Sequence, residues 1–203
     1  MQKEILIADD HSMIRKGMKL YLQVNLGQQQ VTEVSFCHEV MKELVKKKYT
    51  HLVLDIILAD GNSLEIIPNI RRVYPHLQVL IFSMQPAEVY AEALRQYEIH
   101  YYLSKTAGED EIIKVLTRFL ENEPVEEPGP VFLQRQNPFS SLAPRELEVM
   151  HYVLKGMGTK DIAEVLNLKM NTVSTIKSRI YEKTNAVNIK ELLELASLYN
   201  VNY

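Results

Sequence analysis

Five short apolar runs, each followed by a stretch with helical spacing, fill the first 120 residues. This alternation constrains the fold more than any other feature of the chain. The strand candidates are 4–8, 31–36, 51–54, 78–82 and 99–103, and the helix candidates between and after them are 12–24, 38–48, 63–73, 86–97 and 109–121. In the last helix Ile112, Ile113, Leu116, Phe119 and Leu120 share one face. Five βα units in succession require a parallel sheet covered by helices on both faces and joined by right-handed crossovers. In such a sheet ligands bind beyond the carboxyl ends of the strands, where the strand order reverses.

The pattern stops at residues 121–130, which read ENEPVEEPGP. Four Glu, three Pro and one Gly in ten residues can neither continue a helix nor fill a strand, so 121–138 reads as a linker. After it no strand pattern returns. Short helices are expected near 144–155, 159–166, 171–184 and 189–199. Pro144 suits a first turn, Gly156 and Gly158 separate the first helix from the second, and Asn171 or its predecessor can cap the third. The 203 residues thus divide into an α/β domain at 1–120 and a small helical domain at 139–203.

Charge does not settle the function by itself. Residues 1–120 carry 14 Lys/Arg and 15 Asp/Glu, 121–138 carry one and four, and 139–203 carry eight and seven. A C-terminal balance of +1 is no nucleic-acid signal, so any claim on DNA has to come from pattern. Lys46, Lys47 and Lys48 read as a solvated helix end. The lone Cys37 excludes an intrachain disulfide and a cysteine zinc site. No apolar run approaches the ~20 residues a bilayer-spanning helix needs, and the short apolar run after the N-terminus turns acidic too soon for a secretory signal. A cytoplasmic location is the expectation.

The chemistry lies at the strand ends. The first strand ends in Asp9 and Asp10, the third in Asp55, the fourth in Ser83 and the fifth in Lys105. Singly these are a helix cap, a loop hydroxyl and a solvated lysine; together they put carboxylates, a hydroxyl and an ammonium on one sheet edge. Clustered carboxylates repel one another unless a cation is present. With no Cys or His cluster, an all-oxygen site suits Mg²⁺. His11 stands nearby and reads as a loop hydrogen-bonder rather than a ligand. Metal and lysine together would neutralise a phosphoryl group, which a carboxylate can attack. Asp55, at the end of the central run HLVLD, is the best nucleophile.

Residues 3–120 resemble the receiver domain of two-component signalling, through IADDHSMIRKG, LVLDIILADG, VLIFSM and YYLSK. The resemblance implies a flavodoxin-like doubly wound sheet in which Asp55 accepts phosphate from a kinase's phosphohistidine. It implies that Asp10, Asp55 and the Ile57 carbonyl bind Mg²⁺ directly, with Asp9 acting through water. It also implies that Ser83 and Lys105 engage the phosphoryl group, while Tyr102 is the aromatic that turns inward when Ser83 does. Ala59, Ser63, Met84 and Thr106 depart from the usual pattern without removing a functional group, and Ile57 and Met84 add apolar bulk beside Asp55.

On a helical wheel of 171–184, Val173, Ile176 and Ile180 form one apolar stripe opposite Asn171, Ser174, Thr175 and Ser178, with Lys177, Arg179 and Lys183 flanking. Small hydrogen-bonding side chains ringed by cations fit the DNA major groove. Wheel geometry alone also allows a solvated amphipathic helix. The stretch 141–200 resembles the LuxR-type helix-turn-helix of NarL/FixJ response regulators, through Leu142 to Val149, Lys155-Gly156, Thr159 to Ala163, Thr172-Val173 and Lys183. By that resemblance Lys160 touches a DNA phosphate, and Thr172, Ser174, Thr175, Lys177 and Ser178 face the groove. Ser174, Ile176 and Asn185 stand where a basic residue, His and Gly are frequent.

The expectation is a two-component response regulator. It takes a phosphoryl group from a sensor histidine kinase with Mg²⁺, takes part in its own phosphotransfer and dephosphorylation without being an enzyme, and binds double-stranded DNA as a homodimer once phosphorylated. A pseudo-receiver scaffold is the competing reading. An aspartate-nucleophile phosphatase is a third, but it needs a second Asp where Ile57 stands.

Overall fold

The computed structural model describes residues 3–123 and 137–203; most of the expected linker lies outside them. They form two compact units, the first within 1–84 and 95–127, the second within 85–94 and 128–203.

The first unit is built on β1 (Glu4–Ala8), β2 (Gln30–Val34), β3 (His51–Leu54), β6 (Gln78–Ser83) and β7 (Tyr101–Ser104). These form one five-stranded sheet in the order β2-β1-β3-β6-β7 with every neighbouring pair parallel. The connecting helices are α1 (Ser12–Val24), α2 (Cys37–Lys46), α3 (Ile67–Val73) and α5 (Glu109–Glu121). The expected doubly wound α/β architecture is therefore present, with the strand order reversing between β1 and β3. The central strands read as unbroken apolar runs because both faces are buried. Ile5, Ile7, Val53, Leu80, Phe82, Tyr101 and Leu103 pack one face against Met18 and Leu22 of α1 and Leu116, Phe119 and Leu120 of α5. Leu6, Leu52, Leu54, Val79 and Ile81, of the opposite parity, are equally buried.

The sequence pattern does not foresee the hairpin between β3 and α3. β4 (Ile57–Leu58) and β5 (Gly61–Asn62) pair antiparallel, and a 3₁₀ turn at Ser63–Glu65 precedes α3. The helix expected over 63–73 thus starts at Ile67, because the chain spends 57–66 anchoring this hairpin. Asp60 in its tip accepts the backbone N–H groups of Cys37 and His38 at 2.6 and 3.2 Å, fastening it to the first turn of α2. Ala59, where Pro is usual, donates its N–H to Ser35 at 3.2 Å, a bond Pro could not make.

The second unit holds α4 (Ala87–Arg95), apart from Arg95, together with α6 (Pro144–Leu154), α7 (Thr159–Val165), α8 (Met170–Thr184) and α9 (Ile189–Leu198). Pro144 opens α6, as expected, and Gly156 leaves it at φ +78°. Capping of α8 differs from the expectation: the helix starts at Met170, one residue early, its N-cap is Lys169, and no side chain caps it. Asn185 ends it in the left-handed conformation at φ 56°, the service Gly often performs. Lys183 ties α8 to the start of α6. Its Nζ donates to Glu146 Oε2 at 2.6 Å and to the Ser141 carbonyl at 3.0 Å, while the same Glu146 oxygen accepts the Ala143 N–H at 2.8 Å.

His51 is buried at the start of β3, edge-on to Phe119, with Nε2 against the Phe119 carbonyl at 3.2 Å. Burial, and to a lesser extent Lys3, pushes its pKa down from 6.5 to about 4. A depressed histidine pKa means the unfolded chain binds the extra proton first. Stability is then full above pH 6.5 and falls as the pH drops toward 4, by about 2 kcal/mol at pH 5 for one such group. Urea midpoints at pH 7 and 5 are expected to show this loss, and His51→Gln to show less of it. An identical pH dependence in the variant would contradict the assignment.

Candidate functional site

The acidic site lies where the strand order reverses, at the carboxyl ends of β1 and β3. Parallel pairing sets the positions: Ala8 lies beside Leu54, and the Asp55 N–H continues the ladder to the Ala8 carbonyl at 2.9 Å. Asp9 and Asp55 therefore leave adjacent strands at the same height. On the other side β6 ends at Ser83, paired with Ser104, and the Lys105 N–H bonds the Ser83 carbonyl at 2.9 Å. Register alone brings Asp9, Asp55, Ser83 and Lys105 together.

The side chains meet as expected. Lys105 Nζ lies 2.5 Å from Asp55 Oδ2 and 2.7 Å from Asp9 Oδ2, and its side chain is buried. Ser83 donates its hydroxyl to Asp55 Oδ1 at 2.5 Å. The Ile57 N–H points at the same oxygen from 3.5 Å. Burial pushes the Asp55 carboxyl above its usual range, opposed by Lys105 and Ser83 and reinforced by Asp9. Among the described residues one ammonium faces Asp55 and Asp9 with Asp10 alongside, which leaves the pocket short of positive charge.

Carboxylate oxygens of Asp9, Asp10 and Asp55 and a ring nitrogen of His11 all lie within 4.8 Å of one another. Asp10 Oδ1 is shielded from solvent and accepts no hydrogen bond of sound geometry. Hard oxygen donors with unspent lone pairs and a deficit of positive charge fit a divalent cation such as Mg²⁺. Tyr102 is half-buried on β7 beside Ile81, on the sheet face opposite Tyr101 and Leu103. Met84, next to Ser83, is 47% exposed. Sequence reasoning missed Arg15, which donates to the Asp9 carbonyl and pairs with Glu33 at 3.6 Å, bracing the loop that carries the aspartates. Its position one turn into the helix after the acidic pair was the available signal.

In the second unit α8 docks through the anticipated stripe. Val173, Ile176 and Ile180 are buried, whereas Thr172, Ser174, Thr175, Ser178 and Lys160 are exposed. Lys177 is half-buried with Nζ 3.4 Å from Thr159 Oγ1, so it links α8 to the first turn of α7. Thr175 and Ser178 donate their hydroxyls to the carbonyls of Asn171 and Ser174 at 2.9 and 3.1 Å. Both hydroxyl protons are spent on these intrahelical bonds, and the oxygens keep lone pairs with which to accept. A groove of about 480 Å³ along this helix is lined by Asn171, Thr172, Thr175, Arg145 and Arg179. Exposed Arg179 joins the polar face, where the helical wheel gives it only a flanking role.

Comparison with known proteins agrees with both halves. Residues 5–117 match the response regulator receiver domain, and residues 140–196 match the bacterial regulatory proteins of the luxR family. The chain is 28% identical to the oxygen regulatory protein NreC of Staphylococcus haemolyticus, with 95% of this chain and 96% of that protein covered. NreC of Staphylococcus aureus is 27% identical over the same shares. Among solved structures, RcsB of Salmonella enterica serovar Typhimurium bound to promoter P1flhDC with the phosphomimetic BeF₃⁻ superposes with a TM-score of 0.82 at 22% identity, covering 98% of this chain and 100% of that one. The chain belongs to the response regulators of the NarL/FixJ type, in which a receiver domain is followed by a LuxR-type helix-turn-helix.

Proposed function

We propose that this chain is a transcription regulator controlled by phosphorylation of Asp55 within a receiver domain at 1–120, joined by a linker at 121–138 to a DNA-binding domain at 139–203. The observation that carries the reading is the Asp55 carboxylate held between Ser83 and Lys105 at 2.5 Å each, at the switch point of the sheet. An Asp55 oxygen attacks the phosphorus of a sensor kinase's phosphohistidine; the phosphorus–nitrogen bond breaks, and the imidazole leaves and takes up a proton. Asp10, Asp55 and the Ile57 carbonyl would hold Mg²⁺, with Asp9 acting through water; the ion supplies charge neutralisation for the phosphoryl oxygens. Lys105 pairs with the phosphoryl group, and the Ser83 hydroxyl re-aims from Asp55 Oδ1 to a phosphoryl oxygen. Tyr102 turns inward behind it. The receiver takes part in its own dephosphorylation without being an enzyme toward other substrates.

Output runs through α8. Thr172, Ser174, Thr175, Lys177 and Ser178 face the major groove and Lys160 meets phosphate. One helix-turn-helix reads a half-site, so a homodimer of the phosphorylated chain matches a two-fold site with recognition helices ~34 Å apart. The partners are thus a sensor histidine kinase, double-stranded DNA and a second copy. A DNA-binding regulator works in the cytoplasm, and no described helix is long and apolar enough to cross a membrane.

Acetyl phosphate with Mg²⁺ is expected to add one phosphoryl group, and Asp55→Asn none; EDTA abolishes labelling. Intact-mass spectrometry that finds the label on Asp55→Asn protein contradicts the assignment. On promoter DNA, Lys160→Ala weakens binding to all sequences alike, while Thr175→Ala and Ser178→Ala change sequence preference. With about four phosphate contacts, log K falls against log salt with a slope of about −3 to −4. Electrophoretic mobility shifts across a salt series check both, and a slope near zero counts against the interface.

A further inference from the structure

Each polar atom of Asp9 is engaged. Its N–H donates to the Val34 carbonyl at 3.2 Å, its Oδ1 accepts the His11 N–H at 2.8 Å, and its Oδ2 pairs with Lys105 Nζ at 2.7 Å. Its carbonyl accepts from the Arg15 guanidinium. That carbonyl belongs to the peptide joining Asp9 to Asp10, and a peptide is planar. The Arg15 bond therefore fixes the plane from which Asp10 departs. Turning this peptide swings Asp10 relative to Asp55, with which its carboxylate shares a cluster within 4.8 Å.

Arg15 is itself held from the far side. Its side chain is only 14% exposed, and Nε lies 3.6 Å from Glu33 Oε2. Lys19 Nζ donates to the other Glu33 oxygen at 2.7 Å. Glu33 sits on the edge strand β2 beside Ile7, with the parity of Val31, which packs against the core under α1. One carboxylate on β2 thus steadies a guanidinium of α1 that reaches the main chain between the two aspartates.

We propose that Arg15 is a positioning residue that sets the affinity of the acidic site for its divalent cation, by holding the Asp9–Asp10 peptide so that Asp10 meets the ion. This rests on reading the pocket as a cation site. The guanidinium acts on that site in two opposed ways. Its positive charge repels a cation, and Glu33 offsets the charge. Its hydrogen bond pre-orders a ligand, as outer-shell partners of metal ligands do. Losing the charge alone tightens cation binding, whereas losing the hydrogen bond weakens it. The sign of the change therefore separates the two, and with the charge offset the hydrogen bond dominates.

The test uses the full-length chain and Mg²⁺. Amide shifts of the ¹⁵N-labelled protein, titrated with Mg²⁺, give the affinity without any phosphotransfer. Arg15→Met keeps a long apolar stem but neither the donors nor the charge. It is expected to weaken Mg²⁺ binding on the order of tenfold, and Arg15→Gln, neutral and shorter, to do the same should Arg15→Met not fold. The Mg²⁺ concentration for half-maximal labelling by acetyl phosphate rises by the same factor. A bracing role confined to stability lowers the urea midpoint of these variants and leaves their Mg²⁺ affinity unchanged. That result, or tighter Mg²⁺ binding, overturns the proposal and leaves the cation site standing, provided that Asp10→Asn weakens binding. A wild type that binds no Mg²⁺, or binding that Asp10→Asn does not weaken, overturns the cation site itself.

Discussion

The receiver half is organised around one buried ammonium. Lys105 pairs with Asp55 and Asp9 where water is excluded, and a buried charge is tolerable only when matched. The match is incomplete, because Asp10 adds a third carboxylate beside them. The pocket is therefore short of positive charge, which a divalent cation would supply. The main chain is fixed around this imbalance: the parallel register sets the strand ends level, Arg15 braces the loop bearing the aspartates, and Asp60 pins the hairpin after Asp55 to α2.

The helical half meets a different constraint. A recognition helix must present polar atoms to DNA while being held by one face. Val173, Ile176 and Ile180 bury that face, and Lys183 anchors the far end of α8 through Glu146. Family resemblance singles out Lys183, yet its contacts are structural: the ammonium closes the turn before α6. Lys177 is likewise partly engaged with Thr159. Lys160 and Arg179 are the more exposed cations on and beside this surface.

Much of this is legible in the sequence, for physical reasons that differ by element. The five strands are readable because a parallel sheet buried on both faces forces unbroken apolar runs, and the recognition helix because docking by one face forces a 3.6-residue stripe. The acidic site is readable because the strand ends carry it. The hairpin at 57–62 is not, since two-residue strands have no period to detect and depend on tertiary anchors such as Asp60. The start of α8 is misread because Asn171 is a good capping residue, but the helix begins before it.

If the receiver governs output, the state of Asp55 must control the DNA-binding half. The deciding quantity is the affinity of the full-length chain for promoter DNA with and without beryllofluoride and Mg²⁺, alongside Asp55→Asn. A coupling of ~1.4 kcal/mol between the sites, tenfold in affinity, is ordinary for such a switch. Binding tighter by about that factor is expected in the wild type, with no response in Asp55→Asn. Equal wild-type affinity with and without beryllofluoride would contradict control through Asp55.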